Sequence, residues 1–180
     1  NVFMEYYKHE DGTYTKLKQR NVDTGLGLER INMLLQGKET PFDTEVFKPV
    51  MDKLQELAKN DSIESRRIVA EHLRSSMMVI ADGGKPSNID RGYILRRLIR
   101  RMIRHLNKLG IDLNELKGLI ELYVTNLGEM YPELVSNKAN ITEVILGEKD
   151  KFVKTLENGE RELQKELNKL RDKNLETLSA

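Results

Sequence analysis

The stretch Arg91-Gly92-Tyr93-Ile94-Leu95-Arg96-Arg97-Leu98-Ile99-Arg100-Arg101-Met102-Ile103-Arg104 alternates pairs of apolar residues with pairs of arginines. At about 100° per residue this pattern makes one amphipathic helix, and it predicts a helix from Pro86 to Lys108. Ile94, Leu95, Leu98, Ile99, Met102, Ile103 and Leu106 fill one half of the helical wheel, while Arg96, Arg97, Arg100, Arg101, Arg104 and Lys108 form a stripe on the other. A guanidinium group keeps its charge and offers a planar fork that grips two phosphate oxygens at once. A stripe of such cations, without acidic residues interleaved at helical spacing, points to a polyanion; the alternative is a solvated cationic face.

The charge distribution points the same way. The 180 residues carry 30 basic and 29 acidic groups, a net charge of +1. Residues 66–108 hold 11 basic and 3 acidic groups, whereas both flanks are net acidic. A basic centre between acidic flanks is the footprint of a local anion-binding surface. With no cysteine there is no disulfide framework or thiolate metal site, and His9, His72 and His105 lack ligand spacing, so no metal site is expected. No apolar run reaches the ~20 residues of a spanning helix and no signal pattern opens the chain, so a cytoplasmic protein with no membrane partner is expected. The first residue is Asn1 rather than Met, which reads as a piece of a longer protein.

Along the chain, residues 2–7 are rich in strand formers, Asp11-Gly12 is a turn signal, and Tyr14 to Val22 returns to an extended pattern. These make a β-hairpin, too small to be stable alone and expected to belong to a larger sheet. Asn21 to Arg30 then passes from strand into a helix that stops at Gly37. Asp43 is the expected cap of a helix bearing Val46, Phe47, Val50, Met51, Leu54 and Leu57. Asp61-x-x-Glu64 reads as a capping box that opens the next helix, to about Ile80. Within that helix His72 is expected to be packed and hydrogen-bonded, and Ser87 or Asn88 is expected to cap the arginine helix. A further helix runs from Leu113 to Leu127, Tyr131-Pro132 breaks it, and a long helix extends from Asn140 to about Lys173. Phe152, Leu156, Leu163, Leu167 and Leu170 recur near a seven-residue period there, and Gly147 and Gly159 are candidate bends.

The segment Val22-Asp23-Thr24-Gly25-Leu26-Gly27-Leu28-Glu29-Arg30 resembles the third signature motif of the class II aminoacyl-tRNA synthetases, in the form used by the alanyl-tRNA synthetase family. Three more blocks resemble that family in order and spacing: Asn1 to Tyr6, Ile68 to Arg74, and Ala81 to Asn88 running into Arg91 to Arg97. The resemblance implies a mainly α fold, a multi-helix domain with a long C-terminal helix, preceded by a small β-hairpin from a catalytic sheet. It divides the chain into residues 1–36, the end of the catalytic domain, and 37–180, a helical tRNA-recognition domain.

It also implies a reaction: alanine is activated with ATP and Mg2+, and then transferred to tRNA-Ala. Arg30 would be the catalytic residue, against the adenine or phosphates of ATP. Asp23 would meet the ammonium group of alanine, and Val2, Gly25 and Gly27 would border a pocket for its methyl group. The partner implied for the helical domain is the tRNA acceptor stem, with Asn88 at a G·U wobble pair, its amide oxygen accepting from the guanine amino group. Arg91, Tyr93, Arg96, Arg97, Arg100, Arg101 and Arg104 would hold the flanking backbone. The family's first two motifs, its editing domain and a second, aspartate reader fall outside this sequence. The 180 residues alone are therefore expected neither to activate alanine nor to hold ATP, and to act with the remainder of a synthetase chain. The rival reading is a stand-alone, non-catalytic RNA-binding module, against which the intact Asp23, Gly25, Gly27 and Arg30 argue.

Overall fold

In a computed structural model, the structure describes residues 1–172, with side chains to residue 169. The chain divides into two compact units, Asn1–Thr44 and a second from Glu45 onward.

The first unit opens on two antiparallel strands, β1 (Val2–Lys8) and β2 (Tyr14–Asp23). The turn between them closes as the Asp11-Gly12 signal demands. Asp11 Oδ1 accepts from Thr13 N at 2.9 Å and from Thr13 Oγ1 at 2.7 Å, which lowers the Asp11 pKa, and Gly12 takes φ +85°. The register sets Val2 opposite Asp23 and Tyr6 opposite Lys16, with an irregularity between Met4 and Tyr6. Glu5, at that irregularity, pairs with Lys16 (3.4 Å) and Arg20 (3.6 Å). Helix α1 (Leu28–Leu35) follows, with Gly27 at its N-cap and Gly37 beyond its end at φ +61°.

Thr40 and Asp43 exchange capping-box bonds around a 3-10 turn, Pro41–Asp43. Asp43 thus serves this turn; the helix it was expected to cap begins only at Lys48, since Pro49 suits a first turn.

The second unit is helical. Its elements are α2 (Lys48–Leu57), α3 (Ile63–Ala81), α4 (Asp90–Leu109), α5 (Leu116–Leu127), α6 (Pro132–Ser136) and α7 (Lys138–Asp172). A 3-10 turn, Leu113–Glu115, takes the first part of the helix expected from Leu113. The core is built around α3 and α4, with α7 packed against both and α5 against α2. Leu73 and Met77 of α3, Leu95, Ile99, Met102, Ile103 and Leu106 of α4, and Ile141 and Ile145 of α7 are all fully buried. Tyr123 of α5 is buried as well and donates to Ala70 O at 2.9 Å; its burial pushes the phenol pKa far up. Ile94, counted on the apolar half, is instead exposed at the edge of α4.

Helix ends differ from expectation by one to four residues: α4, expected from Pro86, begins at Asp90. Ser62, not Asp61, caps α3, its Oγ accepting from Ser65 N at 3.3 Å, while Asp61 pairs with Arg66 at 3.2 Å. Neither Ser87 nor Asn88 caps α4: Ile89 is the N-cap, and Asp90 starts the helix at φ +48°. Ser87 Oγ bonds the backbone of Ile89 instead, at 2.8 Å to its carbonyl. At the far end Gly110 adopts φ +69°, and Ile111 N closes onto Leu106 O at 3.0 Å. A side chain there would strain the left-handed backbone. Helix α7 starts two residues earlier than expected and runs unbroken through Gly147 and Gly159. Of its heptad positions Phe152 is buried and Leu163 exposed, while Leu170 and the expected end near Lys173 lie outside the described side chains and residues.

Candidate nucleic-acid interface

The pairing of apolar and arginine residues in α4 works as the spacing requires. Leu95, Ile99, Met102 and Ile103 sink into the core packed against α3 and α7, and the arginine pairs are left on the other side of the helix. Arg96, Arg97, Arg100, Arg101 and Arg104 line one groove of about 490 Å3, together with Tyr93, His105 and Phe152 of α7. Arg91 and Asn88 do not line it: both are exposed where the chain enters α4.

The stripe is not free of acidic partners, contrary to the expectation from helical spacing. Glu148 of α7 is 3% exposed, and its Oε1 accepts from Arg100 Nε at 2.7 Å and lies 3.6 Å from Arg96 Nε. Helical spacing within α4 could not reveal it, because the carboxylate arrives from another helix. Arg100 also lies over the Phe152 ring, 5.2 Å from its centroid. The five arginines therefore fall into two classes. Arg96 and Arg100 are tied to α7, while Arg97, Arg101 and Arg104 have no acidic partner among the described residues. Glu148, Phe152 and His105 could not be assigned to the groove from sequence; the charge of Glu148 opposite the stripe was the only signal, and it needs the fold to be seen.

A second difference concerns Asn88. Its Oδ1, which the resemblance has accepting from a guanine amino group, already accepts from Arg96 Nη1. A carbonyl oxygen has two lone pairs, so one acceptor position remains. The loop before α4 is itself fixed: Gly84 N donates to Val79 O at 2.8 Å, and Ser87 N donates to Gly92 O at 3.0 Å.

His105 belongs to this face through Ser65, whose Oγ lies 3.1 Å from its Nδ1. Burial lowers its pKa, and the charges of Arg101 and Lys108 lower it further. His72, on α3, is 7% exposed, yet neither ring nitrogen has a hydrogen bond. The expected packing is present and the expected bond is not; Glu71 Oε2 stands 3.4 Å from Nδ1, at ion-pair range.

In the first unit Val2 and Asp23 stand at the open end of the hairpin, while Gly25 and Gly27 follow in the passage to α1, which carries Arg30. Val2 and Asp23 are cross-strand partners, which puts their side chains on one face of the ribbon. Thr24 Oγ1 ties the strand exit to Asn1 Oδ1 at 2.8 Å. Gly25 has open space where a Cβ would stand, and Gly27 would meet only the side chain of Arg30, at 3.5 Å. Val2, Asp23, Gly25, Gly27 and Arg30 are all exposed. Among the described residues no three His, Asp or Glu side chains gather as a metal would need. None of the described helices is long and apolar enough to cross a membrane.

All of residues 1–180 match the model of the family described as tRNA synthetases, class II (A). Similar proteins include the "Alanine--tRNA ligase" of Elusimicrobium minutum (strain Pei191), 42% identical over 168 residues, which covers 91% of this chain and 19% of that protein. The same name belongs to a relative from Francisella philomiragia subsp. philomiragia, 45% identical over 161 residues, 88% of this chain and 18% of the relative. A third, from Borrelia hermsii (strain HS1 / DAH), is 39% identical over 183 residues, covering 97% of this chain and 31% of its own. The chain thus spans between 18% and 31% of the length of these relatives.

Proposed function

The chain belongs to the class II (A) family of tRNA synthetases, and from that premise we propose that it is part of an alanine-tRNA ligase whose helical portion grips the acceptor stem of tRNA-Ala. The whole enzyme would activate alanine with ATP, releasing pyrophosphate, and pass the alanyl group to the terminal adenosine of the tRNA. Within this chain, Asp23 would attract the ammonium group of alanine, and Val2, Gly25 and Gly27 would border its methyl group. Arg30 would meet the adenine or the phosphates of ATP, as a planar cation suits either. Residues 1–36 then end the catalytic domain and 37–180 form the tRNA-recognition domain, in a cytoplasmic enzyme.

The observation that carries the acceptor-stem reading is the groove lined by five arginines of α4, reached from a loop that presents Asn88. An A-form stem displays base edges and 2'-hydroxyls in a wide, shallow minor groove, which a short amide on a loop can enter. Arginines along the following helix would hold the flanking phosphates and set the register.

The test is binding of this chain to acceptor-stem duplexes that carry G·U or G·C at one pair, with Asn88→Ala alongside. A preference for G·U that disappears in the variant supports the reading. Equal binding of both duplexes by the unaltered chain removes Asn88 as a base reader, and no binding to either removes the acceptor stem as its target.

A further inference from the structure

We propose that Glu148, acting through Arg96, is a positioning residue that fixes how Asn88 presents its amide. The buried carboxylate of α7 holds Arg100 at 2.7 Å and draws Arg96 to 3.6 Å, and Arg96 Nη1 in turn donates to Asn88 Oδ1. A guanidinium has donors and no acceptor, so it is the amide oxygen of Asn88, not its NH2, that must turn toward Arg96. The direction of the amide is thus set by chemistry, and the inference extends the reading of Asn88 as a base reader.

The chain of contacts runs from a rigid interior to an exposed tip. Glu148 sits in the packed part of α7, three residues after the fully buried Ile145. The side chains of Arg96 and Arg100 are only 22% and 32% exposed, and Arg100 is also laid over Phe152. Asn88 is exposed on a loop and would otherwise sample several rotamers. Pinning it beforehand removes an ordering cost from binding. Arg96 therefore has a duty different from that of Arg97, Arg101 and Arg104: it orients a neighbour, while they remain available to phosphates.

A rival role for Glu148 is to dampen the charge of the stripe, and the two roles separate by experiment. Glu148→Gln keeps the shape and an acceptor for Arg100 but removes the charge that holds Arg96. Arg96→Lys keeps the charge but lacks the fork that reaches Asn88. Both variants would be compared with the unaltered chain by the 15N side-chain amide signals of Asn88 in the free protein, and by affinity for the G·U and G·C duplexes, with thermal melting as the control for folding. Positioning predicts an ordered Asn88 amide in the unaltered chain and averaged, mobile signals in both variants. It also predicts a fall in the G·U over G·C preference of about two- to tenfold, the ordering cost of one polar side chain. In an Asn88→Ala background, Glu148→Gln would then lower the preference no further.

Asn88 signals unchanged in both variants overturn the proposal. So does a rise in affinity for both duplexes with their ratio intact, which makes Glu148 a damper of charge. A chain that never prefers G·U sinks the base-reading role of Asn88, while the amide signals still decide whether Glu148 positions it.

Discussion

At Gly92 the loop that carries Asn88 is pressed against the first turn of α4. Its carbonyl accepts from Ser87 N at 3.0 Å, and a Cβ added there would stand 2.6 Å from Lys85 O and run into Ser87 Oγ. A side chain can swing aside, but a backbone carbonyl moves only with its loop. Gly92→Ala is therefore expected to push residues 85–88 away from the helix, at a cost of ~1–3 kcal/mol in stability, and to weaken the G·U preference by displacing Asn88. Urea unfolding and duplex binding check both; a variant with unchanged midpoint and preference would mean that the loop gives way freely. The arginine stripe and Gly92 stand side by side in the sequence, yet only the stripe was legible as structure. Helical spacing is a local rule, readable over four residues, whereas the steric demand on Gly92 depends on how the loop folds back. Glu148 escaped for the same reason on a longer scale, since its partners lie on another helix. Asp23, Gly25, Gly27 and Arg30 are singled out by the family resemblance alone, because nothing within the unit itself closes on these exposed residues.

Between α3 and α4 the packing buries titratable groups. The pKa of His72 is lowered, chiefly by burial; Glu71 opposes this and Arg101 of α4 adds to it. His105 of α4 is lowered by burial as well, then by Arg101 and Lys108, with Glu64 of α3 opposing and Arg104 adding. A histidine with a depressed folded pKa binds protons more readily when unfolded, so acid favours unfolding. The stability is complete above the unfolded value of ~6.5, declines as the pH falls from there toward the lower folded values, and levels off below them. The expected outcome is a lower urea midpoint at pH 5 than at pH 7.5, with the slope reduced in His72→Asn; an equal slope in that variant would assign the effect elsewhere. The helices themselves were legible, since α2, α3, α4, α5 and α7 each bury an apolar stripe at helical spacing. Their first residues were not. A Ser, Asp or Asn near a helix start is a candidate cap, but Ser62 prevailed over Asp61 because Asp61 took Arg66, and Ile89 became the N-cap of α4 because Ser87 turned to bond its backbone.

On the scale of the whole molecule, a net charge of +1 provides almost no general attraction for RNA. Exposed charges more than ~8 Å apart are largely screened at physiological salt, so the acidic flanks of the sequence do little to offset a concentrated basic stripe. Binding should then depend on the few arginines that are not already neutralised. Arg96 and Arg100 share Glu148, whereas Arg97, Arg101 and Arg104 have no acidic partner among the described residues. Removing one phosphate-binding cation should lower the salt slope of binding by about 1, so the double variant Arg97→Ala/Arg101→Ala is expected to reduce it by about 2. Affinity for G·U and G·C duplexes should drop together, since phosphate contacts carry no sequence information. Titrations at several salt concentrations measure both quantities. An unchanged slope would mean that cations outside the groove, such as Lys85 and Lys151, which line a neighbouring cleft with Glu148, carry the backbone contacts. A changed ratio would mean that these arginines reach the base edges themselves.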